Sequence, residues 1–126
     1  MEEKEESAKH IEFGKFAEDL AAEQYTAEGY AILERNWRLG KTEIDIIARK
    51  DDIIAFIEVK ARKKDTTEPV EAVNRAKRKR MIMAADAYLK FQPGHCNYRF
   101  DIFALKGNQN EYEVEIIKDA FLSFIF

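Results

Sequence analysis

The stretch from Glu43 to Lys60, EIDIIARKDDIIAFIEVK, constrains this chain more than any other. Apolar and polar residues alternate on its first arm with the period of a strand, and Glu58 and Lys60 share one face of the second. Asp51-Asp52 between the arms predicts a two-residue turn. That turn sets Asp45 opposite Glu58 and Glu43 opposite Lys60, whereas an odd loop or a bulge would shift the pairing. In the predicted register two carboxylates and an ammonium converge. The arms are otherwise rich in Ile, Ala, Phe and Val, as a strand in the middle of a sheet is, so charges embedded there need a reason.

Chemistry offers one. Two carboxylates beside a water and a phosphate oxygen make a hard, oxygen-only site suited to Mg²⁺ or Mn²⁺. A metal held there would polarise a phosphodiester and acidify an attacking water. Lys60, one strand-step beyond Glu58, would orient that water or offset the charge developing on the phosphate. The competing reading is a charge ladder on a solvated sheet face, where such pairs contribute fractions of a kcal/mol.

The Asp45 … Glu58-Val59-Lys60 arrangement resembles the core of the PD-(D/E)xK nuclease superfamily. The segments AEDLAAEQYTAEGYAILERNWR, TEIDIIAR, IAFIEVKAR and RFDIF resemble, more narrowly, the YraN-like family of bacterial endonuclease-like proteins related to Holliday junction resolvases. That resemblance implies a restriction-endonuclease-like fold. It also implies Asp45 and Glu58 as metal ligands with the Val59 carbonyl as a third, Lys60 as the catalytic lysine, and Glu18 as the acidic residue of the first helix. Two departures stand out: Ala17-Glu18 replaces the family's Gly-Glu, and Thr42-Glu43-Ile44-Asp45 replaces Gly-Glu-Ile-Asp. Neither removes a ligand.

A length of 126 residues suits one domain, 1–126, with a single core. No apolar run reaches the roughly 18 to 20 residues that span a bilayer, and MEEKEESAKH has neither the basic start nor the apolar core of a signal peptide. A cytoplasmic protein with no membrane partner is expected. A single cysteine and two histidines leave no Cys/His metal cluster. The formal net charge of −3 disguises a polarised chain: from Lys60 to Arg80 nine Lys/Arg face three Asp/Glu. This basic block begins at the proposed catalytic lysine and nominates Arg62, Lys63, Lys77, Arg78 and Arg80 as nucleic-acid contacts.

Along the chain, residues 1–10 read as a mobile, charged lead-in, and the spacing from Ile11 predicts a helix that Gly29 ends. Tyr30 to Asn36 predicts a strand and Trp37 to Lys41 a link, with Trp37 packing in the core or at its rim. Arg35 and Arg38 beside it are further candidate phosphate contacts. Pro69 opens a long helix from about Glu68 to Phe91, on which Lys77 turns toward the hairpin and Arg78 and Lys79 turn outward. Gln92 to His95 breaks it, leaving His95 in a loop. Tyr98 to Lys106 and Glu111 to Ile117 form a second hairpin around Gly107 to Asn110, with Asp101 either serving the site or, the favoured reading, finishing a strand edge. The apolar ending, Ala120 to Phe126, is expected to dock on its own domain or on a second copy as a homodimer.

Helix, strand, hairpin, long helix, hairpin is the order of an α/β three-layer sandwich with a mixed sheet of about five strands flanked by helices. The leading expectation is a Mg²⁺- or Mn²⁺-dependent endonuclease acting on DNA, branched or damaged DNA included. The alternative is a non-catalytic nucleic-acid-binding or adaptor module that keeps the fold. A third is a protein that assembles through its apolar C-terminus.

Overall fold

A computed structural model describes residues 2–69, 75–94 and 97–121. Seven elements follow in order: α1 (Glu2–Ala27), β1 (Ala31–Leu39), β2 (Thr42–Lys50), β3 (Ile53–Arg62), α2 (Arg75–Leu89), β4 (Asn97–Gly107) and β5 (Tyr112–Ile117). The five strands form one sheet in that order. β3 and β4 are parallel, and every other neighbouring pair is antiparallel. The sheet is thus mixed, with a helix on each face: a three-layer α/β sandwich.

Each face has its own core. Phe13, Ala17, Ala21 and Tyr25 recur every four residues along α1 and pack on Ile46, Ala48, Ala55, Ile57, Phe103 and Leu105. On the opposite face Met81, Ala84, Ala85 and Tyr88 of α2 meet Ile44, Ile47, Ile54, Phe56 and Phe100. Ile46 and Ile57 are the last backbone-paired residues of β2 and β3 before the strands part. Complete burial of such a side chain contributes about 1.5–3 kcal/mol, so the hairpin is held shut right up to Asp45 and Glu58.

A Schellman motif ends α1: the Tyr30 N–H reaches the Tyr25 carbonyl at 3.0 Å and the Gly29 N–H reaches Thr26 at 3.0 Å, with Gly29 at φ 96. The start of the helix differs from expectation. It begins at Glu2, so the charged lead-in is helical; Glu2, Glu3 and Glu5 lie in its first turn, where acidic side chains favour a helix start. β1 also runs past Asn36 to Leu39. The Leu39↔Thr42 pair leaves only Gly40 and Lys41 as a turn, with Gly40 at φ 60. Trp37 packs edge-on against Tyr88 with ring centroids 5.2 Å apart.

Glu68 and Pro69 lie outside any helix, because proline disfavours the helical conformation of the residue before it. The described part of α2 starts at Arg75, and the expected stretch 70–74 lies outside the described residues. So do His95, expected in a loop, and 122–126 of the apolar ending. The described start of that ending docks on its own domain: Phe121 stacks on Phe100 with centroids 4.8 Å apart. Among the described residues no helix is long and apolar enough to cross a membrane.

Asp101 does not finish a strand edge. It is fully buried, accepting from Tyr25 Oη at 2.7 Å, from Arg99 Nε at 2.7 Å and Nη2 at 2.9 Å, and from the Asp119 N–H at 3.0 Å. Four donors satisfy both carboxylate oxygens, which is how a charge survives in a core. The residue ties α1, β4 and the chain just beyond β5 together.

Candidate metal and nucleic-acid site

The β2–β3 register is the one the two-residue turn requires: Lys50 pairs with Ile53 and the ladder runs on to Ile46↔Ile57. Asp51 makes the turn at φ 55, a left-handed conformation that aspartate tolerates. Continuing that register by one step sets Asp45 across from Glu58. There the backbone pairing stops, and the Val59 N–H donates to Asp45 Oδ2 at 2.8 Å instead.

Glu43 departs from expectation. It does not face Lys60 but pairs across β1 with Arg38, whose guanidinium lies 3.3 Å from its carboxylate. The reason is that β3 leaves β2 beyond Ile57 and pairs with β4 over its whole length, Lys60 lying beside Ala104.

Alternation along β3 decides which way each side chain looks. Ala55, Ile57, Val59 and Ala61 belong to the α1 core and Ile54 and Phe56 to the α2 core, so Glu58 and Lys60 face the α2 layer. Glu58 is buried at 5 % exposure. Lys77, in the first described turn of α2, reaches down and donates its ammonium to Glu58 Oε1. Lys60 is half-buried. Burial pulls its ammonium below the ordinary lysine range, and the nearby Arg62 charge pulls the same way.

Asp45 joins this pair to a cleft of about 710 Å³ under α1, whose lining includes Glu18, Asn36, Glu43, Asp45 and Val59. Burial pushes the Asp45 carboxyl up to about 7, and the Glu58 charge adds to it; the Val59 N–H opposes both. Glu18 also rises, by burial first, with Arg35 opposing and Glu43 reinforcing. It sits beside Ala17 at the border of the buried stripe of α1. With its nitrogen turned inward, the Asn36 carboxamide donates to Glu43 Oε1 at 2.7 Å and Glu18 Oε1 at 2.8 Å.

Asn36 went unnoticed in the sequence. It lies within a strand at φ 54, and an asparagine between strand residues is the signal of such a break, since it is depleted from strands and tolerant of the left-handed region.

The basic candidates divide. Lys63 and Arg80 are exposed. Arg62, half-buried at the end of β3, donates to Thr66 Oγ1 at 3.4 Å and borders a second cleft of about 740 Å³ that Lys106, Glu113 and Glu115 also line. Arg78, expected outward, is half-buried, and its Nε is buried with no hydrogen-bond partner among the described residues. It lies three residues before Met81 and seven before Ala85, on the stripe of α2 that packs inward. Arg35 is taken up by Asp19 at 2.8 Å.

No group of three or more His, Cys, Asp or Glu that would hold a metal by itself is gathered among the described residues. Asp45, Glu58 and the Val59 carbonyl form a smaller, oxygen-only set. Mg²⁺ commonly keeps several waters and takes one or two protein carboxylates, so these donors fit a hard divalent cation.

A model of the Uncharacterised protein family UPF0102 matches residues 17–105. Relatives agree over nearly the full length. A UPF0102 protein of Flavobacterium psychrophilum is 40% identical over 118 residues, covering 93% of this chain and 99% of the relative. One of Bacteroides thetaiotaomicron is 39% identical over 120 residues, covering 94% and 99%. One of Clostridium perfringens is 43% identical over 112 residues, covering 86% and 92%. The family match takes in every residue gathered around Asp45, from Glu18 on α1 to Lys77 on α2, and the chain belongs to the UPF0102 family.

Proposed function

We propose that this protein is a metal-dependent nuclease that hydrolyses phosphodiester bonds in DNA, branched or damaged DNA among its substrates, in the cytoplasm. One observation carries the reading: Asp45 and Glu58 stand across from each other where the β2–β3 ladder opens, the Glu58 charge acting on the Asp45 carboxyl, with Lys60 on the same face as Glu58. A strand pair this apolar gains nothing in stability from two crowded carboxylates, so a ligand accounts for them better than packing does.

Asp45, Glu58 and the Val59 carbonyl would hold Mg²⁺ or Mn²⁺. When bound, such a cation supplies Lewis acidity to a phosphodiester and to a water. The chain's own residues do the rest. The Val59 N–H fixes one Asp45 oxygen and leaves the other for the ligand. Lys60 orients the attacking water and offsets charge developing on the phosphate as the ester P–O bond breaks. Exposed Lys63 and Arg80, with Arg62 at the edge of the second cleft, offer phosphate contacts beyond the end of β3 and on α2.

Purified protein given Mg²⁺ or Mn²⁺ and a panel of duplex, flap, single-stranded and four-way DNA should cut at least one substrate, and Asp45→Ala should abolish it. Failure to cut any of them, or equal cutting by the variant, rejects the proposal. A binding module without catalysis is the second reading. It is favoured by the density of the basic run on α2, and it requires salt-sensitive DNA binding indifferent to Asp45.

A further inference from the structure

Lys77 stands where the charges of the site meet. Its ammonium donates to Glu58 Oε1, and its charge also acts on Asp45 and on Lys60. The Glu58 side chain is 7% exposed and that of Lys77 40%, so the carboxylate is fixed inside while the ammonium enters from the solvent side. A lysine stem has four rotatable bonds and swings out without any movement of its helix. Arg75, Lys79 and Arg80, close to it on α2, are exposed.

We propose that Lys77 is a tethered cation that holds Glu58 in place of the divalent ion and gives it up when DNA phosphates take the ammonium. The inference rests on the nuclease reading, in that Asp45 and Glu58 are taken as the metal-holding pair. Without a metal, the buried Glu58 would be left beside Asp45 with two like charges in a poorly solvated site, a costly arrangement that Lys77 neutralises. With a metal, an ammonium bonded to the same carboxylate is a like charge at close range. The two cations therefore compete. Anything that binds the ammonium then favours the metal, and by linkage the metal frees an additional phosphate contact. DNA and metal would load together, and an ion without substrate would be held weakly.

Isothermal titration of MnCl₂ into the wild type, Lys77→Met and Lys77→Arg tests the competition. Losing a charge-assisted hydrogen bond from the competing side should tighten Mn²⁺ binding by Lys77→Met about tenfold, while Lys77→Arg stays close to wild type. Should Lys77→Met not fold, Lys77→Gln replaces it, keeping a donor for Glu58 without the charge. Equal or weaker binding by the charge-removing variant overturns the counter-ion role and leaves the metal site standing. No Mn²⁺ binding by any of the proteins overturns this role and the nuclease reading together.

A second measurement needs no metal. In EDTA, Glu58→Gln should bind a fluorescent duplex several-fold more tightly than wild type, because Lys77 is released, and the gain should vanish in the Glu58→Gln/Lys77→Met double variant. A gain that survives in the double variant, or no gain at all, refutes the release of Lys77 to phosphate.

Discussion

The Val59 N–H donates to Asp45 Oδ2 at 2.8 Å, so a side chain makes the last rung between β2 and β3. Asp45→Asn keeps an acceptor for that rung and removes the titration. In the folded chain the Asp45 carboxyl is pushed from 3.8 up to about 7, so the native state holds its proton more tightly than the unfolded state does. The stabilisation that follows is full below about pH 3.8 and is lost as pH rises through about 7. In EDTA the wild type should lose stability between those limits and Asp45→Asn should lose less, the raised Glu18 carboxyl remaining in both. Near pH 8 the variant should be the more stable, by on the order of 1–3 kcal/mol. Urea unfolding at a series of pH values checks this; parallel curves for the two proteins would refute it.

Asn36 joins two elements with one carboxamide, and its roles separate by substitution. Asn36→Ala should lose both the left-handed residue and the bridge from Glu43 to Glu18, at a backbone cost of roughly 1–2 kcal/mol. Asn36→Gly should keep the backbone conformation and lose only the bridge. The glycine variant is therefore expected to melt close to wild type yet cut DNA more slowly, while the alanine variant fails on both counts. If the glycine variant keeps full activity, the placing of Glu18 by Asn36 has no part in the reaction.

Much of this arrangement was legible because strand chemistry is local. Alternation and an Asp-Asp turn were enough to place Asp45 and Glu58 across from each other, and the spacing of Phe13, Ala17 and Ala21 oriented α1, although the buried Tyr25 that continues their stripe was not read. What escaped depends on partners far away in the chain. Nothing near Glu43 signals that β3 abandons β2 for β4, and this is what separates Glu43 from Lys60. Asp101 reads like an edge residue until Tyr25, distant by 76 residues, is folded against it. The start of α1 escaped for another reason: Glu2 to His10 is exposed, and a solvated helical turn leaves no apolar period to read.

Asp101 should prove structural. Its carboxylate has no exposure and answers four donors, and removing one partner of a buried ion pair typically costs about 3–5 kcal/mol. Asp101→Ala is expected to lower stability by that order, leaving Arg99 and Tyr25 without their acceptor. Asp101→Asn should cost less, since it keeps one acceptor oxygen. Mn²⁺ affinity per folded molecule should be unchanged in Asp101→Asn, as the residue lies on the α1 side among Tyr25, Tyr30 and Arg99. A shift in metal affinity without a shift in melting would reverse the assignment.

The exposed cations give the prediction that separates an enzyme from a binding module. Lys63 and Arg80 are exposed, so replacing either by alanine should leave the fold alone and remove one phosphate contact. Each replacement is expected to lower the slope of log affinity against log salt by about one. Because such contacts position the duplex without reading it, the loss should be similar for different DNA sequences. Cleavage should weaken mainly through substrate binding, appearing as a higher KM at low substrate with kcat preserved. Asp45→Ala should do the reverse, leaving the salt slope in EDTA intact while abolishing turnover. A protein in which the Lys63 and Arg80 variants lose DNA binding, and no substrate is cut with or without Asp45, is a binding module built on this five-stranded sheet.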